Sequence, residues 1–329
     1  MGAAQVAAAF ALSGPLTLVN ASAQTTPQPK PSIQAQTQAP ASPNALAAGY
    51  HAYKVGDAQC YALYDGVWNV EHAPGFVRNA NTAAIKAALA AAGAATDRVQ
   101  IPYTVTLIKH GGKTVLIDSG SGAQLGPTSG RLARAMRAAG LPVSQIDIVA
   151  ISHFHADHIF GLMAAKSNRQ IFAQAAIMVP EAELQFWTDP SARRAIPLNQ
   201  RPLADRITAT FPKWRNLKTF RPGDEVAPGL RAIAAPGHTP GHTVFHLASA
   251  GAQLFVTGDL ANIPALFVRH PHWHASFDMD GPLAESHRRR LFERAIAEKA
   301  LVAGYHFGLP NVGALRQDGR GYAFVPLGG

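Results

Sequence analysis

The sequence predicts a layered α/β protein, sheet packed on sheet with helices outside. Three observations predict it. Past residue 46, short apolar runs rich in Val, Ile, Leu and Thr recur between turn signals. Longer stretches with helical spacing alternate with them. The early runs join as hairpins, while later ones follow helical segments, which is the pattern of stacked layers. The 329 residues suffice for one large domain or two ordinary ones, with a sizeable core.

Taken in order, the first 23 residues carry no charged side chain. AAQVAAAFAL is an apolar stretch interrupted by Gly14-Pro15, and Ala21-Ser22-Ala23 supplies an A-x-A cleavage pattern. Residues 1–23 are therefore expected to be a signal peptide of an exported protein, periplasmic or secreted, although no Lys or Arg follows Met1. The run is too short and too broken to span a bilayer, so no stable membrane anchor is expected. Residues 24–46, rich in Pro and Gln, read as a disordered tether, and residues 47–329 as the catalytic domain.

CYALYDGVW alternates like a strand and would bury Cys60, the one cysteine, which excludes an intramolecular disulfide and a Cys-rich zinc module. YTVTLIKHGGKTVLIDSG reads as a hairpin turning at His110-Gly111-Gly112-Lys113. SGRLARAMRAAG has helical spacing and ends at Gly140, a C-cap. IDIVAIS is then a buried strand. LAESHRRRLFERAIAEKA is a helix on which Arg288, Arg289 and Arg290 read as a solvated face. The net charge of +9 could attract anions or nucleic acid, but no nucleic-acid motif accompanies it, so none is expected as a partner.

Four strand-like runs end in residues that bind metals. IDIVAIS delivers His153, His155, Asp157 and His158; LRAIAA leads to His238; LFVT leads to Asp259; ALVAGY leads to His306. Alternation along an extended segment points His153 and His155 to one side, so both imidazoles can bite one ion. Asp157 and His158 fall where the chain turns into the helix HIFGLMAA, so they aim elsewhere and can hold a second. Nitrogen and oxygen donors without thiolate suit Zn²⁺, and also Mn²⁺, Fe or Co²⁺. Two divalent ions with a water left for chemistry need roughly seven protein donors, which is the number found.

This pattern resembles the metallo-β-lactamase superfamily, in its hydrolase branch with an aspartate shared between two metals. Within it, GPTSGRLARAMRAAG, EAELQFW, PGHTPGHT and GRGYAFVP look like the group of methyl parathion hydrolase and related lactonases. The resemblance implies an αβ/βα sandwich of two mixed sheets with outer helices. It implies that His153, His155 and His238 hold one ion, that Asp157, His158 and His306 hold the other, and that Asp259 bridges them. Asp118, in LIDSG, is the candidate to anchor a ligand histidine through its second nitrogen. His242 would play a structural or anchoring part, since the seven-residue set is complete without it. The group carries an aromatic residue where Leu125 stands, which argues against efficient phosphotriester turnover. Trp187, Phe267 and Trp273 are candidates for the pocket rim, and Tyr305 for an assisting hydroxyl. His270, His272 and His274 suggest a further metal, but Pro271 spoils a regular strand there.

The expected enzyme is a dinuclear-metal hydrolase. In it a hydroxide shared by two cations attacks small neutral esters (lactones, aryl esters, organophosphate triesters), with Asp157 and Asp259 as catalytic carboxylates. No G-x-S-x-G surrounds Ser152, so a serine nucleophile is not expected. A glutathione-thioester hydrolase, a β-lactamase-like activity and a periplasmic metal-binding protein are the alternatives. A homodimer is compatible with the sequence.

Overall fold

The computed structural model describes residues 43–72 and 74–328. The expected signal peptide and most of the tether lie outside them. The tether's last residues, expected to be disordered, instead form a one-turn helix, α1 (Pro43–Ala48), capped when the Gly49 N–H donates to Leu46 O.

Among the described residues, fourteen strands make two sheets of seven. The first sheet holds β1 (Tyr50–Val55), β2 (Ala58–Glu71), β3 (Arg98–His110), β4 (Lys113–Ile117), β5 (Ile148–Ala150), β6 (Ala176–Pro180) and β7 (Leu217–Phe220), in chain order across the sheet. The second holds β8 (Glu225–Ala227), β9 (Leu230–Ala234), β10 (Thr243–Ser249), β11 (Ala252–Val256), β12 (Leu301–Ala303), β13 (Val312–Asp318) and β14 (Gly321–Pro326). The further helices are α2 (Thr82–Ala91), α3 (Leu132–Ala138), α4 (Ala156–Ile159), α5 (Glu181–Thr188), α6 (Arg201–Thr210) and α7 (Gly281–Ala297).

Strands β1 to β4 are antiparallel, whereas β4 to β7 run parallel and are joined through helices, as parallel pairs require. The hairpin expected at His110–Lys113 is β3–β4, with positive φ at Gly111 and Gly112. In the second sheet only β11 and β12 are parallel, and α7 makes the crossover.

The period of two along each strand builds the layers. Leu254 and Val256 of β11 join a core shared by both sheets, with Ala62, Ile108, Val115 and Ile117 from the first sheet. Phe255 between them points outward into the larger core, where the Arg294 guanidinium of α7 covers its ring. Val115 and Ile117 of β4 do the same about Leu116. The sheets thus face each other and the helices cover their outer faces, as the sequence predicts. Among the described residues no helix is long and apolar enough to cross a membrane.

On α7 the expectation for Arg288 is overturned. Three successive arginines are spread about 100° apart round a helix, so they cannot share one face. Arg288 falls on the stripe of Ala284, Leu291, Phe292 and Ala295 and is buried with it. Its guanidinium donates to Leu260 O, Pro271 O and Trp273 O and lies 3.6 Å from Asp278. It therefore ties the 260–278 segment to the helix.

Candidate metal centre

The four strand-like runs end at one edge of the sandwich. After β5 the chain bends at Ser152, is extended at His155 and then turns into α4, a single turn that carries Asp157 and His158. His238 lies between β9 and β10, Asp259 follows β11, and His306 follows β12. Folding gathers these residues into two groups: His153, His155, His238 and Asp259; and Asp157, His158 and His306, the donor atoms within each group all lying within 4.8 Å of one another.

The distances define the cage. His153 Nε2 lies 3.0 Å and His238 Nε2 2.9 Å from His155 Nδ1. Asp259 sits between the groups: one carboxylate oxygen is 3.2 Å from His238 Nε2 and 3.0 Å from His306 Nε2, and the other is 3.1 Å from His158 Nε2.

The outer nitrogens are anchored. Asp118, at φ 64 just past β4, accepts from His158 Nδ1 at 2.8 Å and from the Ser152 hydroxyl at 2.8 Å. Ser152 Oγ in turn lies 3.0 Å from His153 Nδ1, so one carboxylate orients two imidazoles. Asp278 accepts from His238 Nδ1 at 2.9 Å, and Pro102 O from His306 Nδ1 at 2.8 Å. His242 points its Nδ1 at Ala235 O, and its Nε2 accepts from the Asp259 N–H at 3.0 Å. That bond commits His242 to holding the Asp259 backbone.

These residues fit a divalent cation. With Nδ1 of His153 and of His238 engaged as donors, both Nε2 lone pairs face His155 Nδ1, which can donate to only one of them. His158 Nε2 and Asp259 Oδ1 are buried without any hydrogen-bond partner. Positive charge in the cage satisfies all of these acceptors together. Burial holds His153 and His155 well below the ordinary histidine range, the neutral form that ligates. Burial also pulls His238 down, but Asp259 and Asp278 outweigh it and hold it up at about 9. At His158, burial is outweighed by Asp259, Asp157 and Asp118, and the group sits well above its usual value. The carboxylates favour cationic charge where the nitrogens converge.

A cavity of about 440 Å³ opens onto the cage, lined by His155, Asp157, His238, Asp259 and His306 at its floor. Its walls are Trp68, Ile101, Tyr103, Leu125, Phe160, Pro202, Leu203 and Phe277, with Asn199, Gln200 and Asn262 as polar members. Leu125 is where the sequence puts it. Trp187, Phe267 and Trp273 are not among the lining residues. Each is buried in the main core: Trp187 donates its indole N–H to Glu183, the Phe267 ring lies beside Phe76, and Trp273 stacks on His270. Tyr305 is also committed: its ring lies over His158 and its hydroxyl donates to Asp157 O at 2.6 Å. His270, His272 and His274 do not converge on a common point, because His270 stacks on Trp273 while His274 pairs with Glu285.

Known proteins are similar to this chain in sequence and in fold. The profile of the family described as Metallo-beta-lactamase superfamily matches residues 99–306, which hold every residue of both groups. The chain belongs to the metallo-beta-lactamase superfamily. It is similar in structure to AidC, a dizinc quorum-quenching lactonase in complex with the product N-hexanoyl-L-homoserine, at 27% identity and a TM-score of 0.77 over 84% of this chain and 97% of that one. It is equally similar to AbOPH, a hydrolase in the beta lactamase superfamily, at 26% identity and a TM-score of 0.78 over the same shares, 84% and 97%. Among curated proteins, a ribonuclease Z of Agathobacter rectalis is 44% identical over 59 residues, 18% of this chain and 16% of that protein's length. This metallo-beta-lactamase superfamily member is a metal-dependent hydrolase, and its family binds divalent metals, usually zinc.

Several functional residues escape sequence reading. Asp278 lies in the FDMD stretch ahead of α7, and Trp68 on the outer half of β2; each had a local signal, an acidic residue in an insert and an aromatic at a strand end. Glu183 and Gln200 had none.

Proposed function

We propose that this metal-dependent hydrolase opens lactones and cleaves other small neutral esters, using two divalent cations held by the two groups. His153 Nε2, His155 Nδ1, His238 Nε2 and an Asp259 oxygen would hold one; Asp157, His158 Nε2, His306 Nε2 and the other Asp259 oxygen would hold the second. Imidazole-rich donors without thiolate fit zinc best. Bound there, paired cations supply Lewis acidity and make water a nucleophile at neutral pH.

The protein's own residues do the rest. Asp157, whose carboxylate is the more accessible of the two in the cage, faces the cavity and orients the attacking water. The walls of Trp68, Leu125, Phe160, Leu203 and Phe277 hold an acyl or aryl group and exclude water from it. The composition of the cavity lining carries the reading: among the described residues that form it there is no Lys or Arg. A glutathione thioester or a β-lactam antibiotic brings a carboxylate, and an RNA brings phosphates, for which the lining offers no cationic partner. A neutral acylated lactone suits it, and AidC holds the opened product of such a substrate. Leucine at position 125 leaves the wall without an aromatic face there, so phosphotriesters rank below lactones. The apolar N-terminal run with its A-x-A pattern supports an exported enzyme.

The test is a panel of N-acyl lactones, aryl esters, phosphotriesters, β-lactams and glutathione thioesters on zinc-loaded protein. Lactones and aryl esters are expected to turn over fastest, and thorough chelation to abolish the activity. Thioester or β-lactam hydrolysis exceeding lactone hydrolysis would overturn the reading, as would turnover that survives chelation.

A further inference from the structure

Glu183 is a fully buried carboxylate in the first turn of α5, outside the cage and outside the cavity lining. Three N–H donors converge on it. One oxygen accepts from the Phe154 N–H at 2.9 Å and from the Trp187 indole at 2.8 Å. The other accepts from the Gly241 N–H at 2.7 Å. Burial pushes the Glu183 carboxyl above the ordinary glutamate range, while the N–H donors on both oxygens and the N-terminal turn of the helix favour the negative charge.

The two backbone donors identify what it joins. Phe154 stands between His153 and His155, and Gly241 lies three residues past His238. These loops arrive from different sheets, one after β5 and one between β9 and β10. The approach is close: a Cβ at Gly241 would lie 2.5 Å from Glu183 N, and one at Gly237 2.3 Å from Ala284 N on α7. The loop carrying His238 is therefore pressed between α5 and α7, with Glu183 as its polar tie to the loop carrying His153 and His155. The other group is anchored elsewhere, His158 by Asp118 and His306 by Pro102 O.

We propose that Glu183 is a positioning residue that sets the spacing of the two ligand-bearing loops and so governs affinity for the cation held by His153, His155, His238 and Asp259, leaving the Asp157, His158 and His306 group unaffected. This rests on the two-cation reading above.

Zinc affinity measured by competition with a chromophoric chelator, in backgrounds that isolate each group, tests it. His306→Ala isolates the first group and His155→Ala the second. Glu183→Gln keeps the shape but turns one acceptor oxygen into an N–H₂ that must face an N–H. It is expected to weaken zinc binding about 10- to 100-fold in the His306→Ala background and by less than about 2-fold in the His155→Ala background. The cobalt(II) visible spectrum of the first group should shift with it. Glu183→Asp keeps the charge, one carbon short, and should weaken that group less than Gln does; it also serves if the Gln variant does not fold. Leu247→Ala, a cavity in the core between the sheets, controls for general destabilisation and should lower thermal stability without moving zinc affinity. Failure of the unaltered protein to bind two zinc ions would refute the two-cation reading itself. Two ions bound normally, with affinity unmoved by either Glu183 variant or moved equally by Leu247→Ala, would overturn the role of Glu183.

Discussion

Beneath the floor of the cavity, His153 and His158 are fully buried and each has its outer nitrogen fixed by a named acceptor, with Asp118 serving both. At the mouth, Trp68 is 43% exposed, and the chain from residue 189 to 200, which ends at the lining residues Asn199 and Gln200, runs through short single turns. The floor hangs on strand ends and buried carboxylates; the mouth rests on apolar contacts such as that of Trp68 with Phe277, 5.9 Å between ring centroids. Cation geometry tolerates little displacement, so the floor is built where packing fixes positions. Recognition of an acyl or aryl group requires area and shape, which a more open surface supplies. The difference separates what makes the enzyme a hydrolase from what chooses its substrate.

The largest effect comes from breaking the floor at its centre. Asp259→Ala removes the one carboxylate that lies between both groups, and kcat/KM for a lactone should fall by on the order of 10³ or more. Zinc content per chain, measured on the same sample, should fall with it. A variant that keeps both its metal and its rate would show that the floor does not depend on this residue.

Next in size is Arg288→Met. It strips Asp278 of its cationic neighbour and frees three carbonyls of the 260–278 segment, so unfolding in urea should show a loss of about 3–5 kcal/mol, the cost of breaking a buried pair from one side. A loss below about 1 kcal/mol would place Arg288 among surface charges after all. Asp278→Asn sharpens the same point nearer the cage. It keeps the shape while weakening the acceptor for His238 Nδ1, and should cost about 10- to 100-fold in zinc affinity with a smaller change in stability.

The sequence exposes the floor far better than the mouth, and the reason is physical. A ligand at the end of a strand is announced by the apolar run before it, and His153 and His155 share a side because alternation requires it. The residues that hold those ligands carry no such mark. Glu183 and Asp278 become anchors only when α5 and the insert ahead of α7 pack against the ligand loops, a matter of tertiary contact. Trp187, Phe267 and Trp273 read as a rim because apolar aromatics suit a pocket wall and a core equally well; burial decided for the core. Arg288 was legible: counted on helical spacing from Ala284 to Ala295, it lies in the buried stripe, and a run of like charges hid it. The two-sheet sandwich followed from the alternation of strands with helices, whereas the short helix at Pro43–Ala48 was concealed in a low-complexity tract.

The smallest effect tests whether the mouth is independent of the floor. Leu203, half-buried at the start of α6, packs against the main core and lines the cavity. Truncating it to alanine removes apolar area that a long acyl chain would cover and a short one would not reach. At about 1 kcal/mol for the methylenes lost, KM for a long-chain N-acyl lactone should rise roughly 5-fold while kcat holds, since the contact is the same in ground and transition states. A short-chain lactone should show almost no change in either constant, and zinc affinity should stay as it was. A fall in kcat for both substrates would mean that the wall also orients the reacting carbonyl. Lost zinc would mean that α6 supports the cage, with Gln200, 3.3 Å from His155 Nε2 and just ahead of that helix, as the contact through which it does so.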